Sequence, residues 1–145
     1  MSYEKLLHRQ RVFFRTGETM DYSYRMNALT AFREALVYYE AEIYQALVDD
    51  LNKSPYETFI SEYGLVLRQI TYVERRLKGW MKPRSKAVGI TRLPGKAYEL
   101  VEPYGIVLII SPWNYPLSLT MQPLIGAIAA GNCCILKPSE LSPHT

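Results

Sequence analysis

Apolar positions recur at helical spacing through the first half of the chain and then give way to short β-branched runs. Ser2 is placed to cap a first helix carrying Leu6, Leu7, Val12 and Phe13, closed by Gly17. A second helix is predicted from about Asp21 to about Leu51. Its residues Leu29, Phe32, Leu36, Tyr39, Ile43 and Ala46 alternate spacings of three and four, which lays them along one face, with Arg33, Glu34, Glu40 and Glu42 off it. A third helix opens on a capping box, Ser54 with Glu57, and Pro55 stands at the first helical position, where its missing N–H costs nothing. Phe59, Tyr63, Val66, Ile70, Val73 and Leu77 continue that helix. Gly64 is a point where it can bend, and Lys82-Pro83 ends it.

Past Pro83 the period changes. Ala87–Ile90 and Ala97–Val101 are short β-compatible runs, with Leu93-Pro94-Gly95-Lys96 as the turn of a hairpin. Gly105–Ile110 reads as a fully buried strand. Pro116–Ala130 reads as a helix with Leu117, Met121, Leu124, Ile125 and Ile128 facing inward, stopped by Gly131-Asn132, and Cys133–Leu136 as a second buried strand. Strand, helix and strand in this order predict a right-handed βαβ crossover and a parallel pair.

Composition sharpens this picture. A chain of 145 residues with 48% hydrophobic and 21% charged residues can bury a core without a disulfide or metal staple. Two cysteines, Cys133 and Cys134, and two histidines, His8 and His144, make a four-ligand metal site untenable, so no metal is expected. From Pro103 to Leu136 there are 34 residues without Asp, Glu, Lys or Arg. Pro112, Asn114, Pro116, Gln122, Pro123 and Asn132 break this run, which argues against a membrane span. The Met1–Arg15 segment has no apolar core of a signal peptide, and the expected compartment is the cytoplasm, where adjacent thiols stay reduced. Between Arg75 and Tyr98 lie eight basic and no acidic residues, although the net charge of the whole chain is only +3. A phosphate or nucleic-acid patch competes here with a solvated helix end and an exposed hairpin. The second reading is preferred, because no nucleic-acid motif accompanies the run, and no nucleic-acid partner is expected.

Two constellations can carry chemistry. Ser111-Pro112-Trp113-Asn114-Tyr115-Pro116 follows the first buried strand, and ligands of open α/β sheets bind beyond such carboxyl ends. Two prolines restrict the turn. The Asn114 amide is a neutral donor suited to a developing oxyanion, but on residue type alone a cap for the helix at Pro116 is the preferred reading. Leu136-Lys137-Pro138-Ser139-Glu140 follows the second strand. Lys137 offers donors and Glu140 acceptors suited to a polyhydroxyl ligand such as a ribose, but on these residues alone a surface turn with a solvated ion pair is the preferred reading. No G-x-G-x-x-G follows the first strand, and there is no P-loop. Cys133 and Cys134 lie in an apolar run that raises a thiol pKa, so neither is expected to be a nucleophile.

Glu102–Pro116 (E-P-Y-G-I-V-L-I-I-S-P-W-N-Y-P), Pro123–Asn132 (P-L-I-G-A-I-A-A-G-N) and Leu136–Glu140 (L-K-P-S-E) together resemble the aldehyde dehydrogenase superfamily. The M-K-P-R element, Met81–Arg84, and N-Y-P after the tryptophan resemble its class 3, fatty-aldehyde and coniferyl-aldehyde branch. The resemblance covers essentially the whole chain but only the amino-terminal portion of a family member. It implies an α/β fold: amino-terminal helices, a β-hairpin and the first βαβ of a Rossmann-like NAD(P)-binding domain, with residues 83–101 as a bridging, oligomerisation-type hairpin. It implies oxidation of an aldehyde to a carboxylic acid through a Cys thiohemiacetal and thioester, with NAD or NADP as cofactor and a homodimer of the full-length protein. Glu140 would repel a 2′-phosphate, which leans towards NAD. Asn114 inherits the oxyanion role, and Lys137, Ser139 and Glu140 inherit the contacts to the adenosine ribose. Ser111, Pro112 and Trp113 would line the cofactor channel, and Tyr115 and Leu119 the aldehyde tunnel. The nucleophilic Cys, the general-base Glu and the glycine turn belong to later segments of such enzymes, so the 145-residue chain alone is expected to be inactive. A truncated, non-catalytic module that pairs with intact subunits is the alternative.

Overall fold

The computed structural model describes residues 2–92 and 94–145. Helix α1 spans Tyr3–Arg15 and ends where Gly17 turns left-handed at φ 79°. Ser2 occupies its N-cap position, but its side chain makes no capping bond. Helix α2, Tyr22–Tyr38, is capped by Asp21, whose carboxylate accepts the Ser23 amide at 2.7 Å and the Tyr24 amide at 3.1 Å. Hydrogen bonds from the Ser23 side chain and these amides hold the Asp21 carboxyl below its usual range.

The helix expected from Asp21 to Leu51 is two helices. It breaks at Tyr39 (φ −95°, ψ 19°), and α3 follows as Glu40–Leu51. The Tyr63 hydroxyl donates to the Leu36 carbonyl beside this break at 3.4 Å. Tyr39, expected on the buried stripe, is exposed, and burial in α3 centres on Leu47 rather than Ala46.

The helix expected from Pro55 onward is also interrupted. Ser54 caps α4, Pro55–Thr58, by accepting the Glu57 amide at 3.2 Å. A π-helical turn, Phe59–Tyr63, comes next, and then α5, Gly64–Trp80. The bend anticipated at Gly64 is this π turn. A Cβ at Gly64 would lie 2.6 Å from the Phe59 carbonyl oxygen, so only glycine permits the close approach.

Strand β1 is Arg84–Lys86, three residues earlier than Ala87–Ile90 suggested. It pairs antiparallel with β2, Ala97–Glu99, with Arg84 opposite Glu99 and Lys86 opposite Ala97. Across the pair, the Glu99 carboxylate meets Lys86 at 2.6 Å and Arg84 at 3.8 Å. Ile90–Arg92 is instead a short 3₁₀ turn, and the Gly95 amide bonds the Arg92 carbonyl at 2.7 Å. Leu93 of the expected turn lies outside the described residues.

Strand β3, Ile106–Ile110, pairs in parallel with β4, Cys133–Lys137, in the register Ile106 to Cys133 and Ile110 to Lys137. Helix α6, Pro116–Ala130, connects them, with the bounds the sequence predicts. The expectation of fully buried strands is not met. Only Ile109 and Cys133 are buried, while Leu108, Ile110 and Leu136 are exposed. Helices α1 and α6 both pack against the strands but leave these three side chains open.

One apolar cluster joins Leu29 and Leu36 of α2, Leu47 of α3, Val66, Ile70, Val73 and Leu77 of α5, and Leu117, Ile125 and Ala129 of α6. Of the α6 residues expected inward, Met121 and Ile128 pack at the margin of this cluster. The buried Arg25 side chain ties α2 to the end of α6. Its Nη1 donates to the Ala129 carbonyl at 3.1 Å and its Nε to the Thr19 carbonyl at 2.7 Å. Gly131 turns left-handed there at φ 86°, and a Cβ would stand 2.5 Å from Arg25 Nη2 and 2.7 Å from the Thr19 oxygen. Gly131→Ala is therefore expected to destabilise the fold by about 2 kcal/mol or more in urea denaturation. Gly126→Ala, where nothing lies within 4 Å of the added carbon, should instead gain up to about 1 kcal/mol.

Candidate functional site

The parallel register brings both sequence constellations to one edge of the sheet. Ile110 and Lys137 are partners, and the Ser111 amide donates to the Lys137 carbonyl at 3.2 Å. The turn carrying Asn114 and the turn carrying Glu140 thus leave adjacent strand ends, the position where open α/β sheets bind ligands.

Ser111 is buried, and its hydroxyl accepts the Thr120 hydroxyl of α6 at 2.6 Å. Pro112, Trp113, Asn114 and Tyr115 are exposed. Leu119, on the first turn of α6, is part-exposed. The N-cap of α6 is Tyr115, and its side chain makes no capping bond. Asn114 therefore does not cap this helix, and among the described residues its carboxamide makes no side-chain hydrogen bond.

The group that takes the orphan N–H groups of α6 is Glu62. It is fully buried, and its Oε2 accepts the Leu117 amide at 2.9 Å and the Ser118 amide at 3.1 Å. A carboxylate at a helix N-terminus meets both the unpaired donors and the positive end of the dipole. Its other oxygen, Oε1, accepts the Lys53 ammonium in a buried ion pair. Lys53 Nζ also donates to the Asn114 carbonyl at 3.0 Å and sits 4.1 Å from the centre of the Tyr115 ring.

Local structure explains how these two charges come to be inside. Asn52 ends α3 in the left-handed region at φ 52°. The Asn52 amide bonds the Val48 carbonyl at 2.8 Å, as in an αL cap, and the Lys53 amide reaches back to the Leu47 carbonyl at 3.4 Å, which turns Lys53 inward. The π turn buries both Glu62 and Tyr63. Glu62 was readable as an anomaly, since it lies three residues after Phe59 and four before Val66, on the apolar stripe. Arg25, four before Leu29, carries the same signal. Lys53 lies between helices and has no comparable periodic signal.

At the second turn, Lys137 Nζ donates to Glu140 Oε2 at 2.7 Å, and both side chains are exposed. This hydrogen bond holds the Glu140 carboxyl below its usual range. The Ser139 hydroxyl accepts the Leu141 amide at 3.2 Å and shapes the turn. Three ammonium donors and two carboxylate oxygens, open to solvent, can grip vicinal hydroxyls.

Among the described residues no cluster of three potential ligands could hold a metal ion, and no helix is long and apolar enough to cross a membrane. Within the basic run, Arg84 and Lys86 engage Glu99, and the Arg76 guanidinium stacks 4.0 Å from the Tyr72 ring centre.

A family model described as the aldehyde dehydrogenase family matches residues 3–145. The 4,4'-diaponeurosporen-aldehyde dehydrogenase of Staphylococcus aureus is 43% identical over 141 residues, which is 97% of this chain and 31% of that protein. Human aldehyde dehydrogenase family 3 member B1 is 40% identical, over 95% of this chain and 30% of its own length. A substrate-bound structure of Staphylococcus aureus AldH superimposes with a TM-score of 0.97 at 42% identity, covering 99% of this chain and 31% of that one. The NADP+ complex of succinic semialdehyde dehydrogenase from Streptococcus pyogenes shares the fold, with a TM-score of 0.83 at 20% identity. The chain belongs to the aldehyde dehydrogenase family, and it spans about a third of the length of the curated relatives it matches.

Burial pushes the Cys133 thiol up, and burial together with Cys133 pushes Cys134 up to about 11. Only the thiolate reacts, so a rise from 9.0 to about 11 should slow iodoacetamide alkylation of Cys134 at pH 8 by about 100-fold relative to the urea-unfolded chain. Mass-spectrometric labelling rates check this.

Proposed function

We propose that residues 1–145 form the amino-terminal part of an NAD(P)-dependent aldehyde dehydrogenase, which oxidises an aldehyde to a carboxylic acid. The observation that carries this reading is the exposed Asn114 carboxamide, held at the carboxyl end of β3 in a chain of this family. A neutral amide N–H there stabilises a carbonyl oxygen as it gains charge on attack by a thiolate, and needs no proton transfer of its own. In this reading the thiolate is neither Cys133 nor Cys134, whose raised pKa values disfavour it. The nucleophile and the general base come from other segments of the protein, and residues 1–145 alone turn nothing over.

NAD or NADP, when bound, accepts the hydride. Lys137, Ser139 and Glu140 are the residues that would hold its adenosine ribose, and the open donor–acceptor pair at the end of β4 fits vicinal hydroxyls. Pro112 and Trp113, with Ser111 behind them, would wall the cofactor channel. Tyr115 and Leu119, both part-exposed beside Asn114, would line the path of the aldehyde. A homodimer bridged through residues 83–101 and a cytoplasmic location belong to the same reading.

A second reading, a non-catalytic module that pairs with intact copies, is favoured by the apolar side chains left exposed at Leu108 and Ile110 on one face of the sheet. Co-purification of the 145-residue chain with the complete protein supports it, and a solely monomeric, folded species in ultracentrifugation opposes it.

For the enzyme reading, Asn114→Ala in the complete protein should lower kcat by about 10²–10³-fold, the effect of removing one oxyanion donor. Affinity for the cofactor should not change. Glu140→Gln should instead raise the KM for NAD by about tenfold, the loss of one charge-assisted hydrogen bond, with kcat retained. Initial rates of NADH formation measure both.

A further inference from the structure

The Asn114 turn is exposed along residues 112–115, yet a side chain that is itself buried reaches up to hold it. Lys53 has three ammonium N–H groups and three electron-rich neighbours: Glu62 Oε1, the Asn114 carbonyl and the face of the Tyr115 ring. Glu62 in turn spends its second oxygen on the first amides of α6. The turn is therefore fastened to the same carboxylate that fixes the helix following it.

We infer that Lys53 and Glu62 are positioning residues for Asn114: their buried ion pair fixes the backbone of residues 112–115 so that the Asn114 carboxamide keeps one orientation at the strand edge. The inference rests on the oxyanion role proposed for Asn114. An oxyanion donor acts only within hydrogen-bond reach of where charge develops, and a misplacement of about 1 Å can cost about 100-fold in rate. Pro112 and Pro116 restrict the turn internally, whereas Lys53 ties it to the core across 61 residues of sequence. Lys53 meets the Asn114 carbonyl and the Tyr115 ring rather than the Asn114 carboxamide, and Glu62 meets Lys53 and the α6 amides, so both act through Asn114.

The test uses the complete protein. Lys53→Met with Glu62→Gln removes both charges together and so strands neither one, and the Gln still offers an oxygen to Leu117 and Ser118. We expect kcat to fall by about 10- to 100-fold while the KM for cofactor stays within about twofold. Lys53→Arg, which keeps the cation and its donors, should recover most of the rate. Lys53→Gln with Glu62→Gln keeps both side chains polar and serves if the first pair does not fold.

A second readout needs no turnover. Backbone ¹⁵N order parameters at Trp113, Asn114 and Tyr115 should drop from about 0.85 towards about 0.6, while those of residues 120–130 hold. An unchanged kcat with unchanged order parameters overturns the inference. So does a loss of order that spreads evenly through α6 and the core, which is the mark of a purely structural pair. If the wild-type protein oxidises no aldehyde, the proposed function fails by itself, and the order parameters alone decide whether the pair positions the turn.

Discussion

Helix α6 contains no ionisable residue, yet a buried charge of the appropriate sign meets each of its ends. Glu62 stands at its N-terminus and Arg25 at its C-terminus. Aligned peptide dipoles leave about half a positive charge at the first end and half a negative charge at the second. The unpaired N–H and C=O groups there would be costly to bury without partners. The helix can be free of charged side chains, and can pack against α2, α5 and both strands, because its polar ends are satisfied from other elements. Both strand ends of the βαβ unit are placed through it. Asn132, one residue beyond Gly131, accepts the Gly105 amide at 2.9 Å and so ties the end of the helix to the start of β3.

The clamp has its own requirements. Glu62 is buried within a π turn, and that turn requires a glycine at position 64. A lone buried carboxylate would be untenable, so Lys53 must accompany it. Losing one partner of such a pair costs about 3–5 kcal/mol, because the other charge is then left uncompensated. Lys53 arrives through the left-handed turn at Asn52. Backbone irregularities at residues 52 and 59–63, each awkward when considered singly, converge on one structural purpose.

Much of this was legible in the sequence, and the omissions have physical causes. The bounds of α6 were set by Pro116 at its first position and by the left-handed Gly131. The chain order of helices, hairpin and βαβ unit followed from periodicity, and the Asn114 and Lys137–Glu140 turns from their place after strands. Periodicity could not show the break at Tyr39, because hydrogen bonds bridge it on both sides, from Tyr39 to Ala35 and from Ile43 to Tyr39. Strand β1 was misplaced because Arg84-Ser85-Lys86 has little β propensity, and the Glu99 carboxylate that meets its charges lies thirteen residues away from Lys86. The part of the site below Asn114 was missed for a different reason. A charge on an apolar stripe was present in the sequence at Glu62 and Arg25, but its partner is fixed only by the three-dimensional fold.

The edge of the sheet carries two Lys–Glu pairs of the same chemistry, and burial gives them opposite uses. Lys53 and Glu62 are 7% and 0% exposed, whereas Lys137 and Glu140 are 57% and 78% exposed. Solvent screens an exposed pair, so its donors and acceptors can be handed to a ligand at little cost. A buried pair has no water to fall back on, so it holds its geometry through any event at the surface. Being locally neutral, it adds order beneath Asn114 without adding net charge there. Of the two, only the exposed pair is therefore suited to exchange its contacts for a ligand, and only the buried pair to keep a neighbouring amide in place while that exchange occurs.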